Sequence, residues 1–429
     1  MELKKYKLGE LLDVKRGASL AGKYYATTGN YIRLTCGNFD YQNNSFKLNT
    51  SKDNLFYTGP VRKEFIMKKG DIITPLTEQA IGLLGSTAII PEDDKYIQSQ
   101  DVAKIICNED LLCPSFAFYL ISSDAVKKQL SAAAQQTKIR HTSPDKIKDC
   151  TVWIPNLPTQ EKIGRILSDI DSKIALNRAI NQNLEALAKQ LYDYWFVQFD
   201  FPNEDGKPYK SSGGAMMWND ALKREIPKGW EVTNIGGILD KVISTPRLST
   251  DEYLSNGTYP VIDQTTDVYY AGFTNNKDAV VNQFPAVVFG DHSCAVKFVN
   301  FPFVRGADGT QVMLSKYANI SVEYLYFVVK GIKIGKGYAR HYSFLKEQPI
   351  IVPPQKEAKK FEGMAHILFE QITRNRKESL SLATQRDEIL PLLMNGQVSV
   401  MLLNSDLSIY YTFFKRYIGV TTISHYDYA

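Results

Sequence analysis

The chain has 429 residues, 44% of them hydrophobic, and a formal net charge of +5. That much apolar material suffices for two domains with cores, and so small a charge excludes a uniformly basic coat, leaving only local patches for nucleic acid. Five scattered cysteines, Cys36, Cys107, Cys113, Cys150 and Cys294, argue against a disulfide framework or a thiolate zinc site. With neither a signal peptide nor an apolar run of membrane length, a soluble cytoplasmic protein is expected.

Residues 1–155 predict a first globular unit rich in strands. Tyr31–Leu34, Asp71–Thr74, Gly85–Ile90 and Val102–Cys107 carry strand-like runs between Gly-, Asn- and Asp-rich turns. Leu112–Gln129 predicts a short helix whose apolar face holds Phe116, Tyr119, Leu120 and Val126. The fold class is therefore mixed α/β (α+β).

Residues 156–199 then predict a long helix. Ile163, Ile166, Leu167, Ile170, Ile174, Leu184, Leu187 and Leu191 recur mainly at steps of three and four, the period of one apolar face. At 1.5 Å per residue the helix spans on the order of 60 Å, more than one small domain can pack along its length. It ends in the aromatic run Tyr192, Tyr194, Trp195, Phe196 and Phe199. Residues 200–229 are interrupted by Gly206, Pro208, Gly213, Gly214 and Pro227 and predict a crossover linker, with Met217 and Trp218 as its apolar anchors.

The design then repeats. Residues 230–354 predict a second globular unit, with strands at Pro260–Ile262, Ala286–Phe289, Ala295–Phe298 and Thr310–Leu314 and a helix at Val322–Lys330. Residues 355–398 predict a second long helix with Phe361, Ile367, Leu368, Ile372, Leu382, Ile389 and Leu393 on its stripe. Asn177–Arg178 recurs as Asn375–Arg376, and an Arg-His pair precedes the strand before each helix, Arg140–His141 and Arg340–His341. Shared proline entry, polar pair and spacing indicate an internal duplication, and two similar stripes are most simply buried against each other. The aromatic tail, residues 399–429, has no assigned role.

Little in the chain suggests catalysis. No GxxxxGK phosphate loop, HExxH motif or metal-spaced His/Cys cluster occurs. Asp71 and Glu78 lack the ExK companion of a metal-dependent nuclease, so Asp71 is read as an ordinary strand-start residue. Phe289–Cys294, FGDHSC, brings Asp291, His292 and Cys294 together in sequence, but strand alternation puts only every second residue on one face. A turn making a polar contact is the better reading.

Residues suited to nucleic acid do accumulate. The first unit offers Lys15, Arg16, Lys23, Arg33, Gln135, Gln136, Thr137, Lys138, Arg140 and His141. The second offers Arg247, Gln264, Lys336, Tyr338, Arg340 and His341 in comparable slots, with Thr245, Thr265, Thr266, Tyr269, Tyr270 and Lys333 nearby. Arg and Lys suit phosphates and guanine edges, whereas Gln pairs with adenine. A self-contained methyltransferase or nuclease, or a protein-binding adaptor, are the competing classes. The absence of a [DNS]PP[YF] motif weighs against the methyltransferase, since Val352–Gln355 matches it only in its prolines.

Together, the Trp230–Val232 opening, the prolines before each helix, Gln160–Ile163 (QEKI) and Asp193–Gly214 (DYWFVQFDFPNEDGKPYKSSGG) carry a resemblance over residues 1–398. The chain resembles the specificity subunits of type I restriction–modification enzymes; it departs from them at Gln355–Glu357 and in the tail. The resemblance implies two target-recognition domains alternating with two long helices that pair as an antiparallel coiled coil. Ile166, Ile170, Ile174 and Leu184 would then face Ile367, Leu368, Ile372 and Leu382. It further implies a non-catalytic chain that reads a bipartite asymmetric site on double-stranded DNA and binds two methyltransferase subunits and the restriction subunits. S-adenosylmethionine, ATP and Mg²⁺ would serve those partners, and this chain would hold no cofactor.

Overall fold

The computed structural model describes residues 2–41, 43–78, 82–133, 140–335 and 341–398, with the backbone alone at Ala133 and Arg140. The tail from residue 399 lies outside the described residues. The fold is mixed α/β and forms two units, Met1–Ile174 with residues 380–398, and Ala175–Ser379.

In unit one, strand Lys4–Lys7 pairs antiparallel with Thr151–Ile154, the strand that leads into the first long helix. One antiparallel sheet has the order Ala88–Ile89, Ile72–Pro75, Val102–Cys107, Leu12–Arg16. A second sheet has the order Tyr96–Ile97, Tyr31–Arg33, Phe56–Tyr57, Tyr25–Ala26, and Tyr96–Ile97 runs parallel to Ile32–Arg33. The helix expected over Leu112–Gln129 is two helices, Pro114–Ile121 and Asp124–Ala133. The break falls where hydroxyls compete for the backbone: Ser122 Oγ donates to the carbonyls of Phe118 and Tyr119, and Ser123 Oγ donates to that of Leu120.

Unit two has the same plan. Glu231–Asn234 pairs antiparallel with Pro349–Val352, the strand that leads into the second long helix. Its antiparallel sheet has the order Val296–Val299, Ala286–Gly290, Thr310–Met313, and its second sheet again contains a parallel pair, Val261–Ile262 with Val304–Arg305. The repeat extends to close packing. A side-chain carbon on Gly9 would lie 3.0 Å from Lys148 Cβ, and one on Gly236 would lie 3.2 Å from Lys346 Cβ, so glycine lets the short helices Leu8–Leu11 and Ile235–Ile238 approach their neighbours.

The long helices occupy Leu157–Tyr192 and Gln355–Met394, and the first passes into a wider π-turn at Asp193–Val197. In unit one, Ile163, Leu167, Ile170 and Ile174 share a core with Leu382, Ile389 and Leu393, and Ile166 packs on its edge. Arg386 Nη1 donates to Asp171 Oδ1 at 2.6 Å, and the Tyr119 hydroxyl donates to Asp171 Oδ2 at 2.6 Å. In unit two, Asn177 Nδ2 donates to Glu378 Oε2 (2.7 Å) and Asn181 Nδ2 donates to the Ile372 carbonyl (3.2 Å). Residue numbers rise on one helix as they fall on the other, so the two segments of this unit run antiparallel.

Four apolar assignments need correction. Ile367 is 68% exposed, while Phe361, Ala365, Phe369 and Ile372 are buried. Ile367 stands two residues from both Ala365 and Phe369, roughly 200° around the helix, and so faces outward. Leu187 is also exposed, because Ala188 takes the inward position, with Leu184 and Leu191 half-buried beside it. In the crossover, Met217 and Trp218 are exposed on the hairpin Met216–Asn219/Arg224–Pro227. The burial there comes from Phe199, Phe201, Ile226 and Trp230, with Phe201 stacked between Tyr209 and Trp230 at 4.7 and 5.1 Å.

Candidate nucleic-acid interface

Each unit brings polar residues to the segment that follows an interior strand of its antiparallel sheet. In unit one this strand is Ile72–Pro75. Beyond it, Thr77–Glu78 pairs with Arg140–His141 in the register Arg140↔Glu78, His141↔Thr77. Glu78 is buried, and its Oε1 accepts from the N–H groups of Gly82 (2.7 Å) and Leu83 (3.1 Å). Two backbone donors on one carboxylate oxygen tie Glu78 to Gly82 and Leu83. The loop after Tyr31–Arg33 reaches the same place, with Cys36 Sγ 2.9 Å from Thr77 Oγ1.

Unit two builds the equivalent loop from FGDHSC. The His341 Nδ1–H donates to the Asp291 carbonyl at 2.7 Å, and the Tyr342 N–H donates to Asp291 Oδ1 at 2.7 Å. Gln264, on the loop after Tyr259–Ile262, donates from Nε2 to the Asp308 carbonyl (3.0 Å) and accepts from the His292 N–H (3.2 Å). Ser293 Oγ donates to the Gln264 carbonyl at 2.6 Å. The approach requires glycine: a Cβ on Gly290 would lie 2.5 Å from Ser293 Oγ, and one on Gly309, at φ +86, would lie 2.8 Å from His292 Cδ2. Asp291, His292 and His341 thus brace a turn and do not form a nucleophile–base array.

The other sequence candidates are dispersed. Lys15 and Arg16 are exposed at the end of strand Leu12–Arg16, where Arg16 Nε donates to the Gln100 carbonyl at 2.8 Å. Lys23 is exposed, 5.0 Å above the Tyr24 ring, and Arg247 and Lys333 are also exposed. Arg33 is a correction: it is 8% exposed, stacked 3.8 Å over Tyr25, and its Nη2 donates to the Asn54 carbonyl at 3.4 Å. Its alternation on the strand turns the guanidinium inward. Tyr269 and Tyr270 are partly buried as well, Tyr269 beneath Arg376 at 4.0 Å. Gln135, Gln136, Thr137, Lys138, Lys336, Tyr338 and Arg340 lie outside the described residues, as does the Arg140 side chain.

The sequence reading missed Lys297 and Asp263, a buried pair beside the Gln264 loop with Nζ 3.8 Å from Oδ1. A lone lysine in a strand otherwise composed of Val and Phe was the available signal. Asp71 accepts from the Lys68 N–H (2.9 Å) and pairs with Lys104 (2.7 Å), as befits a strand-start residue. Among the described residues no group of three or more His, Cys, Asp or Glu is placed to hold a metal ion, and no helix is long and apolar enough to cross a membrane.

Two repeated mixed α/β units with polar segments beside their sheets, each leading into a long helix, define a duplicated, modular α/β protein. The family model described as "Type I restriction modification DNA specificity domain" matches residues 1–186 and 227–381, and the chain belongs to this family of type I restriction–modification specificity subunits. Among its relatives, the MjaIX specificity subunit of Methanocaldococcus jannaschii is 26% identical over 320 residues, covering 69% of this chain and 71% of the relative. The HindI specificity subunit of Haemophilus influenzae is 31% identical over 203 residues, covering 46% and 41%. The crystal structure of a type I S subunit from M. genitalium shares the fold, with a TM-score of 0.55 at 16% identity over 92% of this chain and 96% of that one. Specificity subunits are the non-catalytic members of their systems.

Proposed function

We propose that this chain recognises a bipartite, asymmetric sequence in double-stranded DNA, each unit reading one half-site. The observation that carries this reading is the repetition of one plan with different chemistry in equivalent loops: Thr77–Glu78 with Cys36 in unit one, Asp291–Ser293 with Gln264 in unit two. One scaffold with two sets of donors and acceptors suits two unlike half-sites. Lys15, Arg16, Lys23 and Arg247 serve as phosphate contacts, and base contacts come from among Gln135, Gln136, Thr137, Lys138, Arg140 and His141 in the first unit and Lys336, Tyr338, Arg340 and His341 in the second. The long helices act as an antiparallel coiled-coil spacer that sets the gap between half-sites.

On this reading, residues 1–155 and 230–354 are the recognition domains, 156–199 and 355–398 the spacer helices, and 200–229 the linker. The helices and adjoining surfaces hold two adenine methyltransferase subunits, which restriction subunits join in the cytoplasm. S-adenosylmethionine, ATP and Mg²⁺ belong to those partners. The test is base-resolution mapping of methylated adenines in cells expressing this chain with its cognate methyltransferase. Two short specified blocks at a constant gap are expected. A contiguous motif, or methylation without sequence dependence from an assembled complex, overturns the proposal.

A further inference from the structure

Residues 263–269 of unit two form a loop closed at both ends by one side chain. Lys297, on strand Val296–Val299, is 8% exposed. Its Nζ donates to the carbonyls of Val268 (3.0 Å) and Tyr269 (3.2 Å) at the end of the loop, and lies 3.8 Å from Asp263 Oδ1 at its start. Asp263, 5% exposed, accepts from the Thr265 N–H at 2.9 Å and from the Thr265 hydroxyl. The Tyr269 hydroxyl donates to the Phe298 carbonyl, and Arg376 covers the Tyr269 ring. Between these ties, Thr265, Thr266 and Asp267 are exposed.

Burying an ammonium is costly, and an apolar residue would fit the surrounding Val and Phe strand more cheaply. The lysine supplies what an apolar residue lacks: donors that hold two loop carbonyls and a charge that holds Asp263. A rigid loop loses little entropy on binding, so its tip discriminates between ligands by geometry. The tip is chemically selective. A carboxylate facing DNA is repelled by phosphates and gains only from a donor on a base edge, and the cytosine N4 amino group is the donor that Asp accepts from in the major groove.

We infer that Lys297 is a positioning residue for sequence specificity: it locks residues 263–269 so that Thr266 and Asp267 read base edges, Asp267 a cytosine amino group, in the half-site of unit two. This inference rests on the bipartite reading above. It assigns DNA contact to a segment that sequence reasoning placed only among general polar candidates, and a specificity role to a side chain that does not itself touch DNA.

The test uses the chain assembled with its cognate methyltransferase, with methylation mapped across the genome and duplex variants competed for binding. Lys297→Met, which keeps the length and removes charge and donors, should lower discrimination in one half-site by on the order of ten- to a hundredfold and leave the other half-site unchanged. Lys297→Arg, which keeps the charge and donors, should restore part of the loss, a rescue that a purely space-filling role does not predict. Asp267→Asn should relax the cytosine preference at one position of the same half-site. Retention of discrimination within about twofold in a folded Lys297→Met complex overturns the inference and leaves the bipartite reading intact. Should Lys297→Met fail to fold, unchanged specificity in both Thr266→Val and Asp267→Asn, which alter only exposed side chains, overturns it equally. A wild-type complex with no second half-site overturns the bipartite reading and this inference with it.

Discussion

Burial pushes the Lys297 ammonium down to about 8, with Asp263 at the start of the loop after Tyr259–Ile262 opposing the shift and Arg376 on the second long helix adding to it. The unfolded chain holds this proton up to the ordinary lysine value of 10.5, so between about pH 8 and 10.5 the unfolded state binds more protons than the folded one. The contribution of Lys297 to the stability of unit two should therefore rise with pH across that window, by up to roughly 3 kcal/mol at 1.36 kcal/mol per unit. Urea unfolding of wild type and Lys297→Met at pH 7.5 and 10 measures this; wild type should gain relative to the variant. Charges at the surface behave differently. Lys15→Gln should lower the slope of log K against log salt by about 1 and leave sequence preference unchanged, as measured by DNA binding of the assembled complex from low to moderate salt. Arg33→Ala should leave that slope unaltered and cost stability, because the guanidinium packs on Tyr25.

Along the helices, the heptad-like stripe conceals two kinds of position. Phe369 is 2% exposed and stacks on Phe298 at 4.1 Å, so Phe369→Ala should destabilise by about 3–5 kcal/mol. Ile367→Asp, two residues away on the exposed face, should change stability by no more than about 0.5 kcal/mol. Chemical denaturation of the two variants compares them directly. The repeated Asn-Arg pair is also divided by its surroundings. Asn177 and Asn375 are buried in a polar layer where Asn375 Nδ2 donates to Asn181 Oδ1 at 2.9 Å, while Arg178 is exposed and Arg376 covers Tyr269. Asn375→Leu leaves the Asn181 amide oxygen without that donor and should cost about 1–3 kcal/mol in the same measurement. Buried amides of this kind favour one register over its slipped alternatives.

For the full chain, the spacer proposal predicts that inserting whole helical turns into both long helices lengthens the unspecified gap and leaves both half-site sequences unchanged. Methylation mapping of the insertion variants would show this, and an unaltered gap would count against the helices as the ruler. The long helices, the strands Val102–Cys107 and Ala286–Gly290 and the duplicated order of elements are legible in the amino-acid sequence by itself. Each rests on signals within a short window: a three-to-four-residue period, a β-branched run, a proline at a strand end. The inward turn of Arg33, the outward turn of Ile367 and the bond between Ser293 and Gln264 are not legible there, since each depends on segments far apart in sequence. The pairing of Lys297 with Asp263 makes the reason plain. Charge and propensity are properties of single residues and their neighbours, whereas the burial that makes this lysine costly exists only once the two sheets of unit two and the helix bearing Arg376 have closed around it.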